Sequence, residues 1–273
     1  MKRLPRQVFH YASNSGLIGI VRSKNIWTSD IRYLNDSRDY TFAFDIFDEV
    51  FGTSESAKTN PRSKDPFQAL ILDQFEMIRG LQTFVASFSE RSDLLSQWRG
   101  YCAPGQGVSI GFLTGLLRRQ ARAQEYRLVP CIYDRSKQLR AVRALISRAR
   151  AELLRSARQI TELHIATEVA VALHELAARL KHPAFAEERE WRLVSRPLLS
   201  FTPGLQFREG KSYVVPYRQF QLTANETDLQ ITRVTIGPSP HPLLAQQSVV
   251  AFLRSERCEL ATVSKSDVPY RAW

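Results

Sequence analysis

Hydrophobic residues along the chain fall into short runs of β-branched and aromatic side chains bounded by turn residues. Such runs are typical of β-strands. They predict strands at residues 26–29, 82–88, 107–112, 128–133, 190–195, 212–216, 231–236 and 260–263. Apolar residues at helical spacing predict helices at 15–23, 66–78, 114–123 and 243–254. Because strands and helices follow one another without steady alternation, we expect an α+β fold with a mixed, largely antiparallel sheet core.

The segment 136–182 contains neither glycine nor proline, and its apolar residues recur at steps of three and four. As one helix it would measure about 70 Å, which is longer than a domain of this size is wide. We therefore expect a long helical insertion, built as a bent helix or as two antiparallel helices. The pattern predicts the turn near 163–167 and the end of the insertion at Pro183.

The composition is that of a globular protein, with 44% hydrophobic and 24% charged residues in 273. We expect a single α+β domain over 1–273 that includes a basic helical segment at 114–182. A chain of this length buries a sufficient core without a disulfide or a metal. The three cysteines, Cys102, Cys131 and Cys258, are widely spaced and predict reduced thiols, and no metal site is expected.

The net charge of +11 is concentrated in one segment. Residues 118–158 carry 12 basic residues, 11 of them arginine, against three acidic ones. This segment is either a solvated helix face or a surface for nucleic acid or an acidic protein. A third alternative is a regulatory or assembly protein without enzymatic activity that uses the helices at 136–182 to bind a partner chain. The arginines predicted for nucleic-acid or partner binding are Arg140, Arg143, Arg148 and Arg150.

Several classes of protein are excluded by missing motifs. No run approaches the roughly 20 apolar residues of a membrane-spanning helix, and no secretory signal is recognisable, so we expect a cytoplasmic protein without membrane association. The glycines at 105, 107 and 111 do not have the spacing of a dinucleotide fingerprint, and no phosphate loop occurs. The oligomeric state is left open.

Four segments combine polar, charged and aromatic residues in a way that suggests chemistry. They are His10-Tyr11-Ala12-Ser13, residues 27–36, residues 87–112 and residues 187–194. In the last segment, strand alternation would place Glu188, Glu190 and Arg192 on one face. That face is either a functional one or an ordinary surface strand with salt bridges.

Together these segments resemble the bacterial domain-of-unknown-function family 2971. Its members open with His/Lys-Tyr-Thr/Ser, a helix and Leu-Trp-x-Ser-Asp, followed by Tyr-Leu-Asn-Asp, Phe-Ser-Glu, Gln/Met-Trp-x-x-Tyr, Gly-Val-x-Ile-x-Phe and Glu-x-Glu-x-Arg. The corresponding residues are 10–13, 26–30, 33–36, 88–90, 97–101, 107–112 and 188–192. The resemblance spans about residues 8 to 270 and is weakest in the arginine-rich region. It implies little about function, because the family is uncharacterised.

The order of these segments is also similar to that of the His-Tyr-Glu class of ADP-ribosyltransferases. This resemblance implies NAD as a substrate, cleaved through an oxocarbenium-like centre that a carboxylate stabilises. Glu190 or Glu188 would be that catalytic carboxylate. The resemblance suggests a toxin or a phage-defence effector, whereas the basic segment alone suggests a nucleic-acid-binding module or a nuclease.

The same resemblance implies a set of NAD-binding residues. His10 and Ser13 would position NAD, and Trp98 or Tyr101 would stack on nicotinamide. Arg99 or Arg192 would face the pyrophosphate. Each residue also has a structural alternative: His10 as a helix cap, Trp98 as a core anchor and Glu190 as the ion-pair partner of Arg192.

Overall fold

A computed structural model of the chain describes residues 4–34, 38–51, 65–78, 80–102, 105–155, 161–199, 202–210, 212–224, 229–258 and 260–270. The Asn35-Asp36 part of the motif at 33–36 lies outside these residues. The elements are β1 (Gln7–Ala12), α1 (Asn14–Ser23), β2 (Asn25–Asp30), α2 (Arg38–Phe51), α3 (Pro66–Met77), β3 (Phe84–Ser89), α4 (Leu95–Tyr101), β4 (Val108–Leu113), α5 (Thr114–Ala123), β5 (Tyr126–Pro130), α6 (Arg135–Arg155), α7 (Glu162–Ala177), β6 (Glu190–Ser195), β7 (Gln206–Glu209), β8 (Val214–Gln221), β9 (Ile231–Ile236), α8 (Pro242–Ser255) and β10 (Thr262–Lys265).

The ten strands form one sheet in the order β10-β9-β4-β1-β3-β2-β8-β7, with β6 beside β3 and β5 beside β6. Strands β9 and β10 are parallel. The other paired strands are antiparallel. The structure therefore confirms the expected α+β fold with a mixed, largely antiparallel sheet.

Strand β3 is the branch point of the sheet. On one edge it pairs with β6 over residues 85–89. On its other edge it pairs with β2 at residues 84–85 and with β1 at Ser89 alone. Residues 86–88 therefore have no partner among the described strands on that edge, and β1 and β2 diverge there. Helix α1 connects these two strands and contacts both.

Each face of the sheet is covered by its own set of helices. On one face, α1, α5 and α8 contribute to a core that includes Ala86 and Phe88 of β3. On the opposite face, α2, α3, α6 and α7 pack against Val85 of β3 and Val194 of β6. Helix α4 forms a smaller cluster, in which Trp98 packs on β1. Two helix layers with a sheet between them thus surround the branch at β3.

The helical insertion consists of two helices, as one of the alternatives predicted, but its turn is displaced. Helix α7 begins at Glu162, and the Thr161 side chain caps it by accepting a hydrogen bond from the His164 amide. The turn predicted at 163–167 is therefore wrong, because that region already lies inside α7. Helix α7 also ends at Ala177, before Pro183, which opens a separate 3-10 helix at Pro183–Glu188.

Among the described helices, none is long and apolar enough to cross a membrane.

Candidate functional site

A cavity of about 610 Å³ lies where β1 and β2 diverge. Its walls come from β1, α1, β2, β3 and α4, together with one residue each of β7 and β8. Volumes of this order are typical of sites that bind small molecules or cofactors. The lining is rich in hydroxyl and aromatic groups: Ser13, Ser15, Ser23, Ser29, Ser87, Tyr11, Trp27, Tyr33 and Tyr101.

The charges that line this cavity are few and of one sign. None of the described lining residues is aspartate, glutamate or lysine, and Arg208 supplies the guanidinium group. Burial lowers the pKa of His10, which outweighs the opposing effect of its hydrogen bond to Ser87, so this imidazole is neutral at neutral pH. The lining therefore favours an anionic ligand or an anionic part of one.

His10 bridges the gap between β1 and β3. Its Nδ1 atom lies 2.9 Å from the Ser87 carbonyl oxygen. Because a carbonyl only accepts, Nδ1 is the donor and Nε2 keeps its lone pair. His10 is half-buried and lines the cavity. The neutral ring therefore offers an acceptor in the wall where the sheet branches.

Helix α1 presents a face of small residues to the cavity. Ser13 caps the helix by accepting a hydrogen bond from the Gly16 amide at 3.0 Å, and the predicted role of His10 as the cap is therefore wrong. Gly16, Gly19 and Ser23 line the cavity at steps of three and four. A Cβ atom at Gly19 would meet no atom within 4 Å. Gly16 and Gly19 add no side chains to this face, which leaves the cavity open beside them.

The two aromatic residues of α4 have different surroundings. Trp98 is 3% exposed, packs on Tyr11 with ring centroids 4.6 Å apart, and donates from Nε1 to Asp93 at 2.6 Å. It anchors the helix and does not line the cavity. Tyr101 lines the cavity with 40% of its surface exposed. Arg99 lies off the cavity, with its guanidinium 4.9 Å from the centroid of the Tyr270 ring.

A buried ionic cluster lies beside the cavity. Lys181 Nζ donates to Glu188 Oε2 at 2.6 Å and to Glu190 Oε2 at 2.7 Å. Arg192 Nε donates to Glu190 Oε1 at 2.7 Å, and Nη1 donates to the Ala178 carbonyl. Since all four charged residues are buried, the cluster satisfies the requirement that charges out of water be paired and hydrogen-bonded.

Glu190 remains ionised in this cluster. Burial alone would raise its pKa, but the charges and hydrogen bonds of Arg192 and Lys181 outweigh burial and lower the pKa to about 2. A carboxyl with a lowered pKa stabilises the fold above its ordinary pKa of 4.5 and loses that contribution as the pH falls towards 2. Glu190 is therefore a carboxylate under all ordinary conditions.

The cluster lies one strand away from the cavity. Arg192 is opposite Ser87, a lining residue, and Glu190 is opposite Ser89. Directly opposite residues lie on the same face of a sheet. Burial raises the pKa of the Tyr101 hydroxyl, and the charges of Glu190 and Glu188 raise it further, whereas those of Lys181 and Arg192 lower it. Tyr101 therefore connects the cavity with the ionic cluster: it lines the cavity, and the charges of the cluster affect the pKa of its hydroxyl.

Two expectations about the strand at 188–195 need correction. Glu188 ends a 3-10 helix and lies outside β6, because Arg189 adopts a left-handed conformation with φ of 44°. Glu188 therefore does not share a strand face with Glu190 and Arg192, although Lys181 brings both carboxylates together. The interpretation of this segment as a surface strand is also wrong, since every residue of β6 is buried. Neither Glu188 nor Glu190 lines the cavity, and their catalytic role stays a prediction.

The predicted partner-binding arginines lie on α6, away from the cavity. The buried residues of this helix are Gln138, Val142, Ile146 and Ala149. Arg140, Arg143 and Arg148 lie on the exposed side, and none of them forms an ion pair with another residue in the described ranges. Arg150 pairs with Asp65. Across the described residues, no group of three or more His, Cys, Asp or Glu side chains has an arrangement that could hold a metal ion.

Sequence reasoning missed two residues of this region. Lys181 joins the two glutamates, and Arg208 reaches the cavity from β7. Arg208 lies 179 positions from its hydrogen-bond partner Ser29, so no local pattern identifies it. Lys181 follows the end of α7 by four residues, and no local pattern in the sequence marks it as buried.

Comparison with protein families gives a match to part of the chain. A family described as "Protein of unknown function (DUF2971)" matches residues 97–193, from within α4 to within β6. This confirms the family resemblance over 97–193, which includes Tyr101, the whole ionic cluster and the arginine-rich region where the resemblance was expected to be weakest. The wider extent of about 8 to 270 stays a prediction. Comparison with curated proteins and with solved structures found no match. The family description assigns no activity, so the function has to be argued from the geometry.

Proposed function

We propose that this chain, whose residues 97–193 match a family of unknown function, is an ADP-ribosyltransferase-like enzyme that cleaves the nicotinamide–ribose bond of NAD. The cavity between β1 and β2 is the proposed NAD site. Such an NAD-consuming activity would suit a toxin or a phage-defence effector, and that setting stays a prediction.

The observation that carries this proposal is the branch of the sheet at β3. It opens a cavity lined by His10 and Tyr101, one strand away from the ionised Glu190. When the bond between nicotinamide and ribose breaks, the electron pair leaves with nicotinamide and positive charge develops on the ribose. A fixed negative charge near that centre lowers the barrier.

The proposed roles follow from the chemistry of each group. The Nε2 atom of His10 accepts a hydrogen bond from a ribose hydroxyl, and the ring of Tyr101 stacks on nicotinamide. Glu190 supplies the negative charge from the strand next to the cavity wall. Lys181 and Arg192 hold this carboxylate ionised and in place. An acceptor nucleophile then forms a bond to the ribose carbon that nicotinamide left, takes the ADP-ribosyl group and loses its proton to solvent.

The test of this proposal is release of nicotinamide from NAD by the purified protein, with cell extract as a source of acceptors. Glu190→Gln keeps the shape of the side chain and removes its charge, and we expect it to lower release by about a hundredfold or more. Glu209→Gln, on the exposed edge strand β7, is the matched control and should release nicotinamide like the wild type.

Circular dichroism establishes whether Glu190→Gln is folded. If it is folded and releases nicotinamide at the wild-type rate, Glu190 has no catalytic role. If it does not fold, His10→Ala carries the test, since His10 is half-buried in the cavity wall. An unchanged rate in His10→Ala would then contradict the proposal.

A second candidate function rests on α6. Three of its exposed arginines, Arg140, Arg143 and Arg148, form no ion pair with a carboxylate among the described residues, which leaves their charge available to phosphates. We propose that this face binds the backbone of a nucleic acid. The two functions are compatible, because an enzyme that modifies nucleic acid would use both a cavity and a cationic surface.

Replacing Arg140, Arg143 and Arg148 together by glutamine tests the second candidate. We expect wild-type affinity for a DNA or RNA duplex to fall steeply with salt, and the triple variant to reduce the log–log slope by about two to three. The control variant carries Gln at Arg22, Arg233 and Arg254, which are exposed elsewhere. Equal slopes for both variants, or wild-type binding that ignores salt, would eliminate this function.

A further inference from the structure

One face of β2 carries three residues of different chemistry in a row. Asn25, Trp27 and Ser29 alternate along the strand, so their side chains share a face, and all three line the cavity. Four residue steps of a strand cover about 13 Å. This row is therefore long enough to contact several parts of one ligand.

Arg208 gives the Ser29 end of the row a positive charge. Its Nη2 atom donates to Ser29 Oγ at 3.1 Å, which fixes the guanidinium against β2. Its Nε atom is buried and has no hydrogen-bond acceptor in the described part of the chain. No described carboxylate forms an ion pair with Arg208. A buried donor without an acceptor is unfavourable, and an anionic ligand would satisfy it.

The middle of the row is an aromatic surface. Trp27 is 50% exposed, although it is a large hydrophobic side chain, and its ring centroid lies 4.6 Å from that of Tyr217. The neighbouring Tyr217 ring holds the indole in place while the rest of the indole remains accessible. An exposed aromatic ring in a cavity wall is suited to stacking on a flat heterocycle.

The Asn25 end offers an acceptor. Its side-chain amide nitrogen donates to the Ser23 carbonyl at 2.7 Å, which orients the group. Its Oδ1 atom is buried and has no donor among the described residues. A ligand with an N–H group at this end of its ring system would satisfy it.

We infer that this row is a subsite for a nucleoside diphosphate group. The phosphates bind Arg208 and the Ser29 hydroxyl, the base stacks on Trp27, and an N–H of the base reaches Asn25 Oδ1. The inference deepens the proposed function and rests on it for the identity of the whole ligand, because NAD contains such a group. Arg208 takes the pyrophosphate-binding place for which the sequence offered Arg99 and Arg192.

Calorimetric titration with ADP and with adenosine tests this subsite. We expect Arg208→Gln to weaken ADP by at least about tenfold while changing adenosine affinity less than twofold, since adenosine has no phosphate. Arg208→Lys keeps the positive charge but not the forked guanidinium group, and its affinity for ADP should lie between those of the wild type and Arg208→Gln. Arg233→Gln removes an exposed arginine of β9 and should bind both ligands like the wild type.

Three outcomes would overturn the inference. They are wild-type ADP affinity in Arg208→Gln, an equal loss of adenosine and ADP, and no binding of ADP or inorganic pyrophosphate to the wild type. The same experiments distinguish failure of the subsite from failure of the proposed function. If ADP binding depends on Arg208 but NAD releases no nicotinamide, the subsite stands and the enzyme proposal fails. If NAD releases nicotinamide but the affinity for ADP does not depend on Arg208, the enzyme proposal stands and the subsite fails.

Discussion

Replacing Lys181 with methionine should lower the free energy of unfolding by about 3–5 kcal/mol. Methionine fits the space of the lysine side chain but leaves the carboxylates of Glu188 and Glu190 buried without their shared ammonium group. Glu190 keeps Arg192, whereas Glu188 loses its contact with Lys181 at 2.6 Å. The cost is therefore that of an unbalanced buried charge, and it exceeds that of most single substitutions.

Denaturation in urea measures this loss. Lys265→Met on β10 is the matched control, because the same substitution at an exposed lysine should change the free energy of unfolding by no more than about 0.5 kcal/mol. If Lys181→Met and Lys265→Met unfold at the same urea concentration, the cluster does not stabilise the fold. The description of Lys181 as the residue that holds the two glutamates together would then be wrong.

Replacing Gly19 with leucine should abolish NAD binding. Gly19 lies on the face of α1 that lines the cavity, and a Cβ atom there has no neighbour within 4 Å. The leucine side chain therefore enters free space at the cavity wall and occupies the place of a ligand. Leucine also favours a helix interior over glycine by about 1 kcal/mol, so the variant should fold at least as well as the wild type.

Gly115→Leu is the control for this variant. Gly115 lies in α5, does not line the cavity, and also has no atom within 4 Å of an added Cβ. Calorimetry should detect NAD binding to the wild type and to Gly115→Leu but not to Gly19→Leu. If Gly19→Leu binds NAD with wild-type affinity, NAD binds outside the cavity between β1 and β2.

Periodicity predicted those elements whose sequence reflects burial directly. Strands β3, β4 and β9 are runs of β-branched and aromatic residues, and each pairs with a strand on both of its edges. Strand β1 escaped prediction because His10 and Tyr11 interrupt its apolar pattern. Helix α4 was not predicted, because its seven residues, one of them a glycine, are too few to show a helical period.

The candidate site could be predicted only in part, since its residues meet through the tertiary fold. The motif at 10–13 supplied His10 and Ser13, which the structure places in the cavity wall. The sequence could not show which of Trp98 and Tyr101 lines the cavity. The two residues are three positions apart on a short helix, and the tertiary fold determines which ring is buried. It could not foresee the turn at Arg189 either, and strand alternation therefore failed at Glu188.

We propose that NAD is cleaved in the cavity between β1 and β2, and release of nicotinamide from NAD by three proteins in parallel tests this claim. They are the wild type, Gly19→Leu and Gly115→Leu. We predict release by the wild type and by Gly115→Leu, and none by Gly19→Leu. Equal release by all three, or no release by the wild type with cell extract present, would contradict the claim.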